Sequence, residues 1–234
     1  MKKTAIGIVF SIFSLAANAN FVETDWLSEN DSLSTLDVAT GLEWMDLTVT
    51  RGDSVDTVSS QIVAGGNYEG WRFPTAVEMD TLFRNLFTTA YSSFTSSSGK
   101  INLGANGSKA DEAIQMAQLF GDGVLASGYS YPQGWSDGQK LKGSGVSLQS
   151  GSWYGHGPLA GGGYYEDSIF SKKGTYLVSD GGVTMSSLLD PSLNQANPNS
   201  PFNSAPISDV PLAGSAFSII FGILVFSRRK NKKR

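Results

Sequence analysis

His156 is the only histidine of the chain and sits in Trp153-Tyr154-Gly155-His156-Gly157. A histidine near neutral pH can serve as a general base or a metal ligand. No second histidine and no nucleophile lie close in sequence, so no catalytic residue is assigned. The glycine-rich, aromatic setting suits a loop instead. Trp135, Trp153, Tyr154, Tyr164 and Tyr165, with His156, form the candidate ligand-contact surface, because loop aromatics can grip sugar rings. Asp122, Asp137, Glu166 and Asp167 are oxygen donors of the kind calcium takes, but no EF-hand spacing joins them. No metal site is assigned, and no cofactor is expected beyond that weak calcium possibility. Arg51-Gly52-Asp53 spells an adhesion tripeptide, and Asp53 also has a helix-capping role open to it. Gly161-Gly162-Gly163 lacks the Lys-Ser/Thr that a phosphate loop needs.

The elements that would position these residues follow from pattern. Leu36-Asp37-Val38, the Thr40-Gly41 turn and Leu42-Glu43-Trp44-Met45 predict a hairpin. Asp53 or Ser54 caps a short helix with Val55, Val58 and Ile62 at helical spacing, closed by Gly65-Gly66. Trp71-Arg72-Phe73-Pro74-Thr75 leads into a second helix, where Thr75 and Glu78 have capping-box spacing. Met79, Leu82, Phe83, Leu86 and Phe87 line one face of it. Ser108 with Asp111 starts another helix, with Ala113, Ile114, Ala117 and Phe120 inward and Gly121 at its end. Residues 123–182 read as short strands between long glycine-rich loops, with Gly174-Thr175-Tyr176-Leu177-Val178-Ser179 the last strand. Trp44 and Trp71 read as core anchors. Arg72 and Glu78 flank the helix-entry turn, where an ion pair or backbone hydrogen bonds would fix its geometry.

The two ends carry the address. Met1-Lys2-Lys3, an apolar run to Ala17 and Ala17-Asn18-Ala19 have the three parts of a secretory signal, with cleavage expected after Ala19 by signal peptidase. Val210 to Phe226 is almost wholly apolar or small, and Arg228-Arg229-Lys230 opens a basic tail that the positive-inside rule keeps cytoplasmic. This divides the chain into a signal peptide over 1–19, an exported globular domain over 20–189 and a flexible linker over 190–209. A sorting or transmembrane helix over 210–227 and a basic tail over 228–234 complete it.

Subtracting the ends changes the charge. Of 17 Lys and Arg, two precede Asn20 and six follow Phe226, leaving nine against 21 Asp and Glu: −12, not the −4 of the whole chain. Such a surface repels phosphate backbones, which excludes nucleic acid as the expected partner. The chain has no cysteine, so packing alone holds the fold, and thiol chemistry is excluded.

Val210-Pro211-Leu212-Ala213 before an apolar helix and Arg228-Arg229 resembles the PEP-CTERM sorting signals, especially their VPLPA-type variants. Ala213 stands where the variant has a second proline. The resemblance implies an exosortase as partner, anchoring in the inner membrane with the domain outside, and transfer toward the outer surface or extracellular matrix. Thr40-Gly41-Leu42-Glu43-Trp44-Met45 followed by Trp71-Arg72-Phe73-Pro74-Thr75 and Glu78 resembles the Lcl C-terminal domain family. Trp44, Trp71, Arg72, Pro74, Thr75 and Glu78 carry that likeness. It implies an α+β, C-type-lectin-like fold: a twisted antiparallel sheet, two or three helices and long glycine-rich loops. Together these point to a non-enzymatic binding or structural protein of the polysaccharide matrix. An enzyme acting on envelope polysaccharide is the alternative, for which two carboxyls about 5–9.5 Å apart would be needed.

Overall fold

The computed structural model describes residues 20–96, 100–121, 133–134, 141–157, 163–164 and 174–203. In chain order these form β1 (Phe21–Thr24), β2 (Ser34–Asp37), β3 (Leu42–Met45), α1 (Val55–Gln61), α2 (Ala76–Leu86), α3 (Tyr91–Ser96), β4 (Lys100–Gly104) and α4 (Ser108–Leu119). Then come β5 (Gln133–Gly134), β6 (Leu141–Gly143), β7 (Gly145–Gln149), β8 (Ser152–His156), β9 (Gly163–Tyr164), β10 (Val178–Ser179) and α5 (Met185–Leu189), with a 3-10 turn over Pro191–Asn194. The class is α+β with antiparallel sheets. One sheet has the order β1-β2-β3-β10, a second β4-β8-β7, and three short strands pair as β5-β6-β9.

The hairpin forms as its sequence dictates. Gly41 turns it at φ +68°, a conformation a side chain would resist. Leu36 then lies opposite Glu43, and Asp37 opposite Leu42. Alternation sends Phe21, Leu42, Trp44 and Val178 to one face, where they meet Met79, Leu82, Phe83 and Phe87 of α2 and its end, and Met116 of α4. The inner face of the second sheet, Leu103, Val146 and Trp153, closes the same core. Phe94 packs edge-on against Phe83 and Phe87, at 5.4 and 4.8 Å between ring centres. Gly155 lets that ring in, since a Cβ there would come within 2.6 Å of it. The other face of the first sheet offers Met45 to a smaller cluster of Trp26, Val58, Tyr68, Trp71 and Leu177.

Helix starts follow local chemistry. Ser54, rather than Asp53, caps α1 by accepting from the Thr57 amide, and Asp53 instead accepts from the Tyr68 hydroxyl at 3.2 Å. Burial, with the Asp53 charge beside it, pushes that phenol up to about 12. The capping box of α2 is complete. In α4 the cap is Gly107, at φ +84°, and Ser108 is already helical. Ala110, Ala113 and Met116 face inward there, whereas Ile114, expected inside, is 37 % exposed. The buried stripe of α4 thus runs through Ala110, Ala113 and Met116, one position round from Ile114. The expected last strand is shorter than Gly174–Ser179: only Val178–Ser179 pairs with β3, while Tyr176 and Leu177 are wholly buried beside it.

The largest correction concerns residues 190–203, expected as a flexible linker. Instead this segment packs on the sheet, with Asn194, Asn197 and Ser200 at 0–2 % exposure. Asn194 donates to the Gly41 carbonyl at 2.9 Å, and Asn197 to the Asp180 carboxylate at 3.0 Å. Asparagine and serine signal flexible chain by composition, yet here their side chains replace water for a backbone that lacks strand partners. The globular domain therefore continues at least to Asn203. Residues 1–19 and 204–234, with Ala17, Ala19, Val210 to Ala213, Arg228 and Arg229, lie outside the described residues. No helix among the described residues is long and apolar enough to cross a membrane.

Candidate functional site

Two polar assemblies stand out, one clamped and one open. The clamped one grows from the turn before α2. Arg72 forms a bridge with Val178 through both backbone groups, which fixes its side chain over the sheet edge. Its guanidinium grips Glu78 with two hydrogen bonds, at 2.9 and 2.6 Å, and Asp180 with two more, at 3.1 and 3.0 Å. Glu78 also accepts from the Thr75 amide at 2.7 Å, so one carboxylate serves both the capping box and the ion pair. Burial alone would raise Glu78, but the Arg72 and Thr75 hydrogen bonds outweigh it and hold the carboxyl below its ordinary value. Asp180 behaves alike: burial opposes, and the hydrogen bonds from Arg72 and Asn197 prevail. Both pairs hold Arg72 protonated. The two carboxylates share a cation rather than flank an open cleft, so they are bound in place structurally. Trp44 and Trp71 are core anchors at 1 % and 3 % exposure. The indole N–H of each has no acceptor among the described residues.

A second carboxyl is buried without any cation. Glu43 is wholly enclosed between β3 and the C-terminal segment, and receives the Thr184 hydroxyl at 2.5 Å and the Ser187 hydroxyl at 3.4 Å. Burial raises its pKa, and the hydrogen bonds from Thr184, Ser187 and Asn194 offset this only in part. Composition gave no warning of this residue; its place in a strand, where polar-out alternation is the norm, concealed it.

The open assembly lies on the outer face of β4-β8-β7. Tyr154 stands opposite Asn102 on one side and Ser147 on the other, and His156 stands opposite Lys100. Alternation in β8 points Tyr154 and His156 outward, both partly exposed, with Lys100 and Asn102 exposed beside them. The Lys100 ammonium lies 3.8 Å from the Tyr154 ring centre and reaches on to Gln149 Oε1. Gln149 in turn donates to the Ser147 hydroxyl at 3.3 Å. A cation, amides, a hydroxyl and an aromatic ring thus share one sheet face.

Of the expected ligand contacts, Tyr154 and His156 fall on this face. Trp153 does not: the same alternation turns it inward, to 6 % exposure in the core, because neighbours on a strand point to opposite sides. Trp135 and Tyr165 lie outside the described residues, as do Asp122, Asp137, Glu166 and Asp167, and of Tyr164 only the strand backbone is described. Lys100, Asn102 and Gln149 were missed; register across three strands brings them to Tyr154, Lys100 lying 49 positions from the Gln149 it reaches, and nothing local announces that. No group of three or more His, Cys, Asp or Glu fit to hold a metal occurs among the described residues. An apolar cleft of about 490 Å³ also opens between Val22, Leu36 and Val38 of the first sheet and Leu193 and Ala196 of the C-terminal segment. No family model, curated protein or solved structure matches this chain.

Proposed function

We propose that this is an exported, exosortase-sorted protein of the envelope or extracellular matrix, whose C-type-lectin-like domain binds polysaccharide without turning it over. The observation that carries the binding reading is the outer face of β4-β8-β7. There Lys100, Asn102, Gln149 and Tyr154 bring donors and acceptors together on one sheet face, with the half-exposed His156 at its end, its Nε2 enclosed. Sugar hydroxyls are both donors and acceptors, and such a face meets them in a fixed geometry without ordering loops first. Because Lys100 covers the Tyr154 ring, the face recognises by hydrogen bonds more than by ring stacking. Its cation is set in a strongly acidic domain, which favours neutral or weakly acidic glycans over polyanions.

The exported, sorted part of the reading rests on the Ala17-Asn18-Ala19 site and on Val210-Pro211-Leu212-Ala213 with its apolar and basic sequel. The Lcl-type likeness rests on the capping-box turn of Trp71, Arg72, Pro74, Thr75 and Glu78, which joins a helix to an antiparallel sheet as that resemblance implies. Two experiments test the proposal separately. A glycan array probed with the purified chain should give binding that a Lys100→Ala/Tyr154→Ala variant loses at least tenfold; no signal on any glycan or on isolated matrix would sink the binding reading. Mass spectrometry of membrane and medium fractions should find a form beginning at Asn20 and lacking the basic tail. An intact Arg234 throughout would leave a plain anchor.

A further inference from the structure

The C-terminal segment closes over the sheet through a carboxyl that nothing ionic supports. We infer that Glu43 and residues 184–203 form a pH-operated clasp, closed while Glu43 is a neutral acid and loosened when it ionises. Glu43 is completely buried, and its donors are hydroxyls and an amide. They are too few for an anion. A carboxylate presents about four lone-pair sites. Thr184 has one hydroxyl proton, and Ser187 Oγ lies 2.8 Å away competing for it. Ser187 is 3.4 Å from the carboxyl and 3.2 Å from the Thr184 carbonyl, another claimant for its proton.

The same molecule shows how it holds carboxylates that stay charged. Asp31 collects the backbone amides of Trp26, Leu27, Ser28 and Leu33 at 2.8–3.1 Å. Glu78 has Arg72. Glu43 has neither. Its cross-strand neighbours are Leu36 and Ser179, and the covering segment presents Thr184, Ser187 and Asn194, so no charged side chain faces it from any of these elements among the described residues. The nearby acids of the segment are already engaged: Asp180 with Arg72 and Asn197, and Asp190 with the amide and hydroxyl of Ser192. An anion at Glu43 would stay buried and under-solvated as long as the segment stays down, so lifting the segment is the way to hydrate it.

The sign follows from linkage. A carboxyl whose pKa is higher in the fold gives stability fully present below its unfolded value and lost as pH rises through the folded one. Between the ordinary value of the open state and the raised value of the closed one, each pH unit favours the open segment by about tenfold, and above the closed-state value the effect is complete. Opening has a geometric consequence. With the segment down, six residues of sequence separate Asn203 from Val210, at most about 25 Å of chain; with it up from Thr184, twenty more lie between the packed domain and Val210. On the sorting reading proposed above, the clasp would set how far the domain stands from the processing motif, but its own test is independent of that reading.

Hydrogen exchange of the full chain in detergent micelles, followed between pH 5 and 9 and corrected for intrinsic rates, reads the clasp directly. Amides of 184–203 should lose protection at least tenfold across this range, while those of α2 hold theirs. Glu43→Gln keeps the shape and removes the titration, so its profile should be flat. Matching profiles in the two proteins, or loss of protection spread equally over the whole domain, would overturn the proposal. Should Glu43→Gln fail to fold, carbon-13 titration of the glutamate carboxyls in the unaltered chain decides the matter: one carboxyl should stay protonated above the ordinary range, and its absence would be equally fatal.

Discussion

The two main sheets share one apolar core but use their polar residues in opposite ways. On β1-β2-β3-β10 the polar groups are wholly or partly enclosed and turned to partners inside the fold: Arg72 to two carboxylates, Asp180 to Asn197, Glu43 to hydroxyls. On β4-β8-β7 Lys100 and Asn102 are exposed, and Gln149, Tyr154 and His156 half-exposed. The difference separates two uses of a polar side chain. A polar side chain whose hydrogen bonds are consumed inside the fold is architecture, and one held rigidly at a surface with donors still turned to water is available to a ligand. By that criterion the residues of the Trp-Arg-Phe-Pro-Thr turn are structural, and Tyr154 with its neighbours is the face proposed for recognition.

Breaking the first region should be expensive in stability, and breaking the second should not. Trp44→Ala empties a fully buried site against Tyr176 and should cost about 4 kcal/mol in denaturant unfolding. Arg72→Ala strands two carboxylates. Because the pair is about one-third exposed, solvent screens part of the loss, and about 2 kcal/mol is expected by the same assay. Thr75→Ala removes a cap and should cost about 1 kcal/mol.

The pH dependence sharpens the contrast within the first sheet itself. Glu78 and Asp180 are depressed, so their contribution is present above their unfolded values and lost as pH falls through the folded ones. Glu43 works in the other direction. Melting temperature plotted against pH should therefore fall on both sides of a maximum, with Arg72→Ala flattening the acid limb. An acid limb unchanged by that variant would show that the cluster contributes nothing measurable.

Much of the first region was legible in sequence, because its devices are local. Thr40-Gly41 makes a turn whatever follows, and Thr75 with Glu78 lie one helical turn apart. The Arg72–Glu78 pair also falls within a span of seven residues. Its third member, Asp180, is 108 positions away and left no trace. The open face was hardly legible, since it is assembled across strands β4, β7 and β8 by register. Reading 152–156 as loop made Trp153 and Tyr154 equivalent, whereas strand alternation separates them by the thickness of the sheet. The C-terminal segment misled for a third reason: Pro, Asn and Ser are typical of free chain, and only the buried carbonyls of Gly41 and Asp180 show why asparagines were wanted there.

The central claim is that recognition sits on the outer face of β4-β8-β7 and is separable from the fold. Its most direct test is a Lys100→Ala/Gln149→Ala/Tyr154→Ala variant, compared with the unaltered chain for unfolding midpoint and for binding to isolated extracellular polysaccharide. The account predicts a stability loss of about 1 kcal/mol or less, as expected of surface positions, together with at least a tenfold loss of binding. Undiminished binding by the folded variant would contradict it.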